Sequence, residues 1–333
     1  PRMKPSAITA ALPELFAAKR PVFIWGPSGA GKSSIVKQFA TDHKLLLSDM
    51  RASQLDAIDV RGFPVPDMKS KTMEWLPATF LPKKNSKPGI LFLDEMNGAM
   101  PSTASALYQL ILDRRIGEYE LPDNWAIVAA GNEAKDRGVT HAMPAPLNNR
   151  FCHIDFEVDA DDWQQQAMKD KIHVMVRSFL RFKPAALHVF DSKVNPRCFP
   201  TPRSWYFADQ IFKGEFTPLT KHELIKGTIG EGAAVEFFGF VRDVAAMPDI
   251  DSIMMDPEKA KLPGTPMVMH ALVTTLVDDR MTVANYGRLM IYIRRLPQEI
   301  QVVFNRAAYS KDSRITTSHE YIDWAIQNQD VIR

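Results

Sequence analysis

Cysteine is nearly absent from this chain: its 333 residues hold two, Cys152 and Cys198. Two isolated thiols form neither a disulfide framework nor a metal-ligand spacing, and they suit a reducing compartment. No apolar run approaches the length of a membrane-crossing helix, and the first residues lack a signal-peptide core. The expectation is a cytoplasmic protein with no membrane segment. Charge of one sign is also lacking, since 41 Lys and Arg stand against 39 Asp and Glu, a net charge of +2. No run of five or more basic residues marks a nucleic-acid stripe. The histidines make no His-x-x-x-His pair, which leaves zinc catalysis without support. A Gly-x-Ser-x-Gly elbow, an internal repeat and a low-complexity tract are missing too.

What the chain does carry is a phosphate-binding loop. Residues 26–33 read Gly-Pro-Ser-Gly-Ala-Gly-Lys-Ser. Backbone N–H groups must curl around phosphate oxygens here, and glycine lets the chain approach that closely. The cradle runs from Gly26 through Pro27, Ser28, Gly29, Ala30, Gly31, Lys32 and Ser33 to Ser34. Lys32 would reach the β- and γ-phosphates, and the Ser33 hydroxyl would sit on Mg²⁺. The context fits: residues 21–25 read as a buried strand and residues 33–40 as a helix whose amino end faces the phosphate. The bland alternative is a glycine turn without a ligand.

The first 157 or so residues alternate strand-like and helical runs, which predicts a parallel sheet covered by helices. Further strands are expected at 45–47, 89–95, 125–130 and 151–156. The result is a five-stranded, doubly wound α/β fold with ligands at the carboxyl ends of its strands. Residues 62–76 predict a hairpin around a Lys-Ser-Lys turn. Residues 115–130 predict another, turning at Pro122-Asp-Asn124 and running into the fourth strand. From residue 158 the pattern is helical. Thr201-Pro202-Arg203 predicts a helix start, with Thr as N-cap and Pro in the first turn. Thr220 to Glu223 and Thr317 to Glu320 fit the capping box, and Asp256-Pro257 reads as a further cap. Pro297 opens a helix with Ile300, Phe304 and Ala307 on one face. Residues 248–266, rich in proline, read as a connector.

Leu93-Asp94-Glu95 closes an apolar strand with two acids. Beside a phosphate loop, Asp94 would hold Mg²⁺ through water, and Glu95 would polarise a water for attack on the γ-phosphate. Asn132, after Gly131, is either a hydrogen-bonding partner of that water or phosphate, or a turn residue that tolerates left-handed backbone. Arg150 precedes the fifth strand and Arg203 opens a later helix. Either could neutralise γ-phosphate charge, and Arg114, Arg115 and Arg137 compete with them.

Together and in this order, these marks resemble an AAA+ ATPase, and more narrowly the MoxR-type, dynein-related group. The matching segments are 26–33 (Walker A), 90–95 (Walker B), 130–132 (sensor 1), 147–151 (arginine finger) and 200–205 (sensor 2). The hairpins at 62–76 and 115–130 are similar to that group's inserts. The resemblance implies a nucleotide-binding domain at 1–157, a helical lid at 158–247 and a C-terminal helical extension at 248–333. It implies ATP and Mg²⁺ as ligands, Arg150 acting in trans on a neighbour's ATP, Arg203 acting in cis, and a homo-oligomeric ring, a hexamer in this family. It further implies remodelling of a protein client, often with a partner bearing a von Willebrand factor A-type domain. Two departures stand out. Met96-Asn97-Gly98 lacks the basic residue that often follows the Asn, and the finger segment reads Asn148-Asn149-Arg150 instead of Leu-Asp-Arg, which keeps Arg137 in play. The competing functions are a nucleic-acid motor or loader, an ATP-gated scaffold with little turnover, and a small-molecule kinase.

Overall fold

The computed structural model describes residues 2–69, 71–132, 141, 143–190, 197–244 and 247–328. The chain forms two compact units, Pro1–Asp159 and Ala160–Arg333. Arg137 lies outside the described residues.

The first unit is built on a parallel sheet. Its strands are β1 (Arg2–Met3), β2 (Val22–Trp25), β3 (Leu46–Arg51), β6 (Gly89–Asp94), β9 (Trp125–Gly131) and β10 (Cys152–Phe156). Their order across the sheet is β1-β10-β2-β9-β6-β3. The helices are α1 (Pro5–Ala17), α2 (Lys32–Asp42), α3 (Ala57–Arg61), α4 (Pro101–Asp113) and α5 (Ala145–Asn148). Alternation along the strands explains why the sheet is covered on both faces. Val22, Ile24, Ile90, Phe92, Val128 and Ala130 pack with Ile8 and Leu12 of α1 and Val36 and Phe39 of α2. Phe23, Leu91, Leu93, Ile127 and Ala129, offset by one residue, pack with Leu107, Leu110 and Ile111 of α4. Strands apolar at both parities are what a parallel sheet between helical layers requires.

The five predicted strands are present, and a sixth joins them. β1 is only two residues long, too short to leave a periodic signal, and is fixed by its pairing of Arg2 with Asp155 and Met3 with Phe156. The hairpin at 62–76 forms as β4 (Phe63–Asp67) and β5 (Thr72–Leu76), with Phe63 opposite Leu76 and Asp67 opposite Thr72. It is exposed on both faces: Met68 is 84% and Met73 55% accessible. The second hairpin is smaller than expected and turns elsewhere. β7 (Arg115–Ile116) pairs with β8 (Tyr119–Glu120) around Gly117, whose φ of 56° is left-handed. The Pro122–Asn124 turn instead leads into β9, where Trp125 N–H donates to Pro122 O.

The second unit holds helices and no strand among its described residues: α6 (Ala160–Lys169), α7 (Val174–Phe182), α8 (Pro202–Lys213), α9 (Pro218–Ile229), α10 (Glu231–Val244), α11 (Ile250–Met255), α12 (Pro266–Thr275), α13 (Tyr286–Ile293), α14 (Gln298–Lys311) and α15 (His319–Gln327). Thr201 caps α8 as predicted, its hydroxyl accepting from Ser204 N–H. Pro297 precedes α14, and Ile300, Phe304 and Ala307 are buried. Three helix starts differ. Thr217, followed by Pro218, caps α9 one turn before Thr220; proline fits the first turn, which needs no N–H. Ser318 replaces Thr317 as the cap of α15. Asp256 ends α11, as suits a residue that the following proline pushes out of helical backbone, and it starts no helix.

Candidate functional site

The phosphate loop joins β2 to α2. Gly29 and Gly31 hold φ of 73° and 107°, backbone that a side chain would strain. With Gly31 as N-cap, α2 begins at Lys32, and the partial positive charge of its amino end is aimed at the loop. Lys32 is 7% exposed. Its ammonium donates to Gly26 O at 2.6 Å, Pro27 O at 3.0 Å and Asn132 Oδ1 at 2.9 Å. A buried cation surrounded by three oxygens is well solvated by the protein itself.

Strand register brings the remaining groups to the same edge. Trp25, the end of β2, lies beside Gly131, the end of β9. Leu93 of β6 lies beside Ala129 of β9. The loop after β2, the acids after Leu93 and Asn132 after β9 therefore share the carboxyl edge of the sheet. Ser33 Oγ donates to Asp94 Oδ2 at 2.7 Å. A hydroxyl and a carboxylate in that proximity are hard oxygen donors of the type Mg²⁺ takes, and that ion needs few protein ligands when phosphate and water supply the others. The residues present fit Mg²⁺ on that ground.

Glu95 has left-handed backbone, with φ 53°, an unfavourable region for a glutamate. Its N–H donates to Asp94 Oδ1 at 3.0 Å, and its carbonyl accepts from Gly98 N–H at 2.8 Å. Its carboxylate accepts from Ser53 Oγ at 2.5 Å. Ser53 follows β3 in a short turn, and no motif drew attention to it. Asn97 was legible only as part of the segment after the acids. It is 8% exposed and holds both main-chain groups of Asn132, donating to its carbonyl at 2.8 Å and accepting from its N–H at 3.3 Å.

Within the first unit, Arg150 and Arg114 stand apart from this cluster. Arg150 is exposed and follows α5. β10 runs parallel to β2, with Cys152 beside Val22 and Asp155 beside Trp25. Arg150, two residues before Cys152, is thus at the amino edge of the sheet and the phosphate loop, which opens at Gly26, at the carboxyl edge, six residues or roughly 20 Å of strand apart. Arg203 is exposed in the first turn of α8, in the second unit. Arg114 turns inward, its guanidinium donating to Pro122 O and Trp125 O at 2.8 and 2.7 Å.

No helix of the described residues is long and apolar enough to cross a membrane. No curated protein matches the chain. Among solved structures, it is similar to the RuvB Holliday junction branch migration motor of Thermotoga maritima: 16% identity, 97% of this chain and 85% of that one, TM-score 0.35. A variant of that RuvB gives 14% identity, 81% and 80% coverage, and a TM-score of 0.40. NtrX of Brucella abortus in complex with ADP gives 13%, 98% and 67%, and 0.36. The family model described as "ATPase family associated with various cellular activities (AAA)" matches residues 22–156. That span contains the phosphate loop, both acids, Asn132 and Arg150: residues 22–156 form an AAA ATPase domain.

Proposed function

We propose that the chain is a ring-forming ATPase of the MoxR type, which couples ATP binding and hydrolysis to the remodelling of a protein partner. The observation that supports this most is the meeting of Lys32, Ser33, Asp94, Glu95 and Asn132 at one sheet edge, with Arg150 at the opposite edge. Residues 26–34 would cradle the nucleotide phosphates, with Lys32 on the β- and γ-phosphates. Ser33 and Asp94 would hold Mg²⁺, which supplies positive charge against the developing charge of phosphoryl transfer. Glu95 takes a proton from the attacking water as general base, and Asn132 orients that water or the γ-phosphate. Arg150 is too far along the sheet to serve its own phosphate loop, so it acts on a neighbouring subunit's ATP. Arg203 acts in cis from the helical lid at 158–247, with 248–333 as the C-terminal extension.

A site completed by a neighbour's arginine works only in an oligomer, which is why a homo-oligomeric ring, a hexamer, belongs to this reading. A protein client or a partner with a von Willebrand factor A-type domain completes it. The test is ATPase activity per subunit across a wide range of protein concentration, with Glu95→Gln as the blank. The expected specific activity climbs and then levels as rings form. A constant specific activity from a particle that weighs one subunit would exclude the shared site. No turnover above the blank would exclude the ATPase.

A further inference from the structure

We infer that Asn97 is a positioning residue for Asn132, and through it for the Lys32 ammonium on the γ-phosphate side of the site; the kinetic part of this inference rests on the ATPase reading. β9 ends at Gly131, whose partner across the sheet is Trp25. Asn132 is the first residue beyond the ladder, where strand pairing no longer provides partners for its N–H and C=O. Asn97 provides both. Its Nδ2 donates to Asn132 O at 2.8 Å and its Oδ1 accepts from Asn132 N–H at 3.3 Å. The orientation of the carboxamide is fixed by this pair, since a flip would set donor against donor. Asparagine alone brings a donor and an acceptor side by side at that reach; aspartate lacks the donor and alanine lacks both.

Asn97 is itself held. It is buried, in the short turn Met96–Gly98 that follows the acids, and its own carbonyl accepts from His141 N–H at 2.7 Å. Gly131 permits the approach: a Cβ there would meet Asn97 Oδ1 at 2.6 Å. On the far side of the clasp, Asn132 Oδ1 accepts from Lys32 Nζ at 2.9 Å. One turn after β6 thus fixes the main chain after β9, and that main chain aims an amide at the cation of the phosphate loop. Asn97 touches no reacting atom in this arrangement; it acts through Asn132.

The test has one readout that does not depend on turnover. Amide exchange of Asn132 is expected to be roughly tenfold or more faster in both Asn97→Ala and Asn97→Leu, which lack the acceptor, than in the unaltered protein, with the strand amides of β9 unchanged. Unchanged exchange at Asn132 would overturn the clasp, whatever the enzyme does. The second readout is a double-mutant cycle. Asn97→Ala should lower kcat roughly tenfold, leave ATP affinity within about threefold, and add nothing to the loss caused by Asn132→Ala. Fully multiplicative losses would overturn the route through Asn132. The unaltered protein serves as control. Absence of turnover in that protein would refute the ATPase reading alone, because the exchange measurement still decides the clasp. If Asn97→Ala melts before assay, Asn97→Leu, close in size and with neither donor nor acceptor, carries both readouts.

Discussion

Ser53 Oγ donates to Glu95 Oε2 at 2.5 Å, tying the acid after β6 to the turn after β3. A hydrogen bond to a charged group contributes about 1.5–3 kcal/mol. A water-activating carboxylate must present an oxygen to the water, and this one presents an oxygen to a serine. Ser53→Ala should therefore release Glu95, raise basal kcat severalfold and leave ATP affinity unchanged. Steady-state kinetics with ATP in excess would check this. A fall in kcat would mean that Ser53 aims Glu95 at the water instead of holding it back.

Gly131→Ala should damage stability and activity together. A Cβ at this position would meet Asn97 Oδ1 at 2.6 Å and the Phe23 ring at 2.8 Å. Phe23 is fully buried and cannot swing aside cheaply, so overpacking of roughly 1–3 kcal/mol is expected. For a unit of this size that lowers the melting midpoint by roughly 2–10 °C. Melting followed by tryptophan fluorescence measures it. An unchanged midpoint would mean that the sheet and the clasp yield together.

These two contacts mark where sequence reading stops. The phosphate loop and the acids were legible because their residue types and spacing are imposed by backbone geometry and charge: glycines where φ turns positive, and carboxylates at a strand end. The strands were legible because both parities are apolar. Ser53 and Asn97 act on residues distant in sequence, and only strand register sets them opposite Glu95 and Asn132. β1 escaped because two residues carry no period; its place is fixed by its partner β10. The hairpin at 115–120 was misplaced because the Pro-Asp-Asn turn signal is stronger than the Gly-Glu one, although the latter closes the hairpin. Thr220 and Thr317 show the same limit at helix starts, where several hydroxyls compete for one cap and the neighbouring proline or the packing of the first turn selects one.

Arg150→Ala should separate binding from hydrolysis. Its exposed position at the amino edge of the sheet keeps it from its own phosphate loop, so nucleotide affinity should stay within about threefold. An arginine that neutralises transition-state charge contributes roughly 10³-fold or more to turnover. Mixing Arg150→Ala subunits with Glu95→Gln subunits should restore part of the activity, because some interfaces then pair an intact acid with an intact arginine. Titrating one variant into the other while following phosphate release measures this. A mixture that stays as inactive as its parts would count against action in trans.

The helical unit should lose stability in mild acid, and His173 is one cause. It caps α7: its Nδ1 accepts from Met175 N–H at 3.1 Å, which only an unprotonated Nδ1 can do. Burial holds its pKa below the ordinary 6.5; Asp209 pulls it up, while Lys213, Arg177 and Lys221 push it down. His270 is shifted the same way by burial and by Arg181. The sign follows from linkage. Below pH 6.5 the unfolded chain takes up the proton before the folded one does, so stability is lost as pH falls through that value towards the lower folded pKa. His173→Asn keeps a capping acceptor but does not titrate. Its melting midpoint should match the unaltered protein near pH 7.5 and fall less than that protein's on acidification to about pH 5.5. Equal losses in the two proteins would move the acid sensitivity from His173 to His270, and the same comparison on a His270 variant would then locate it.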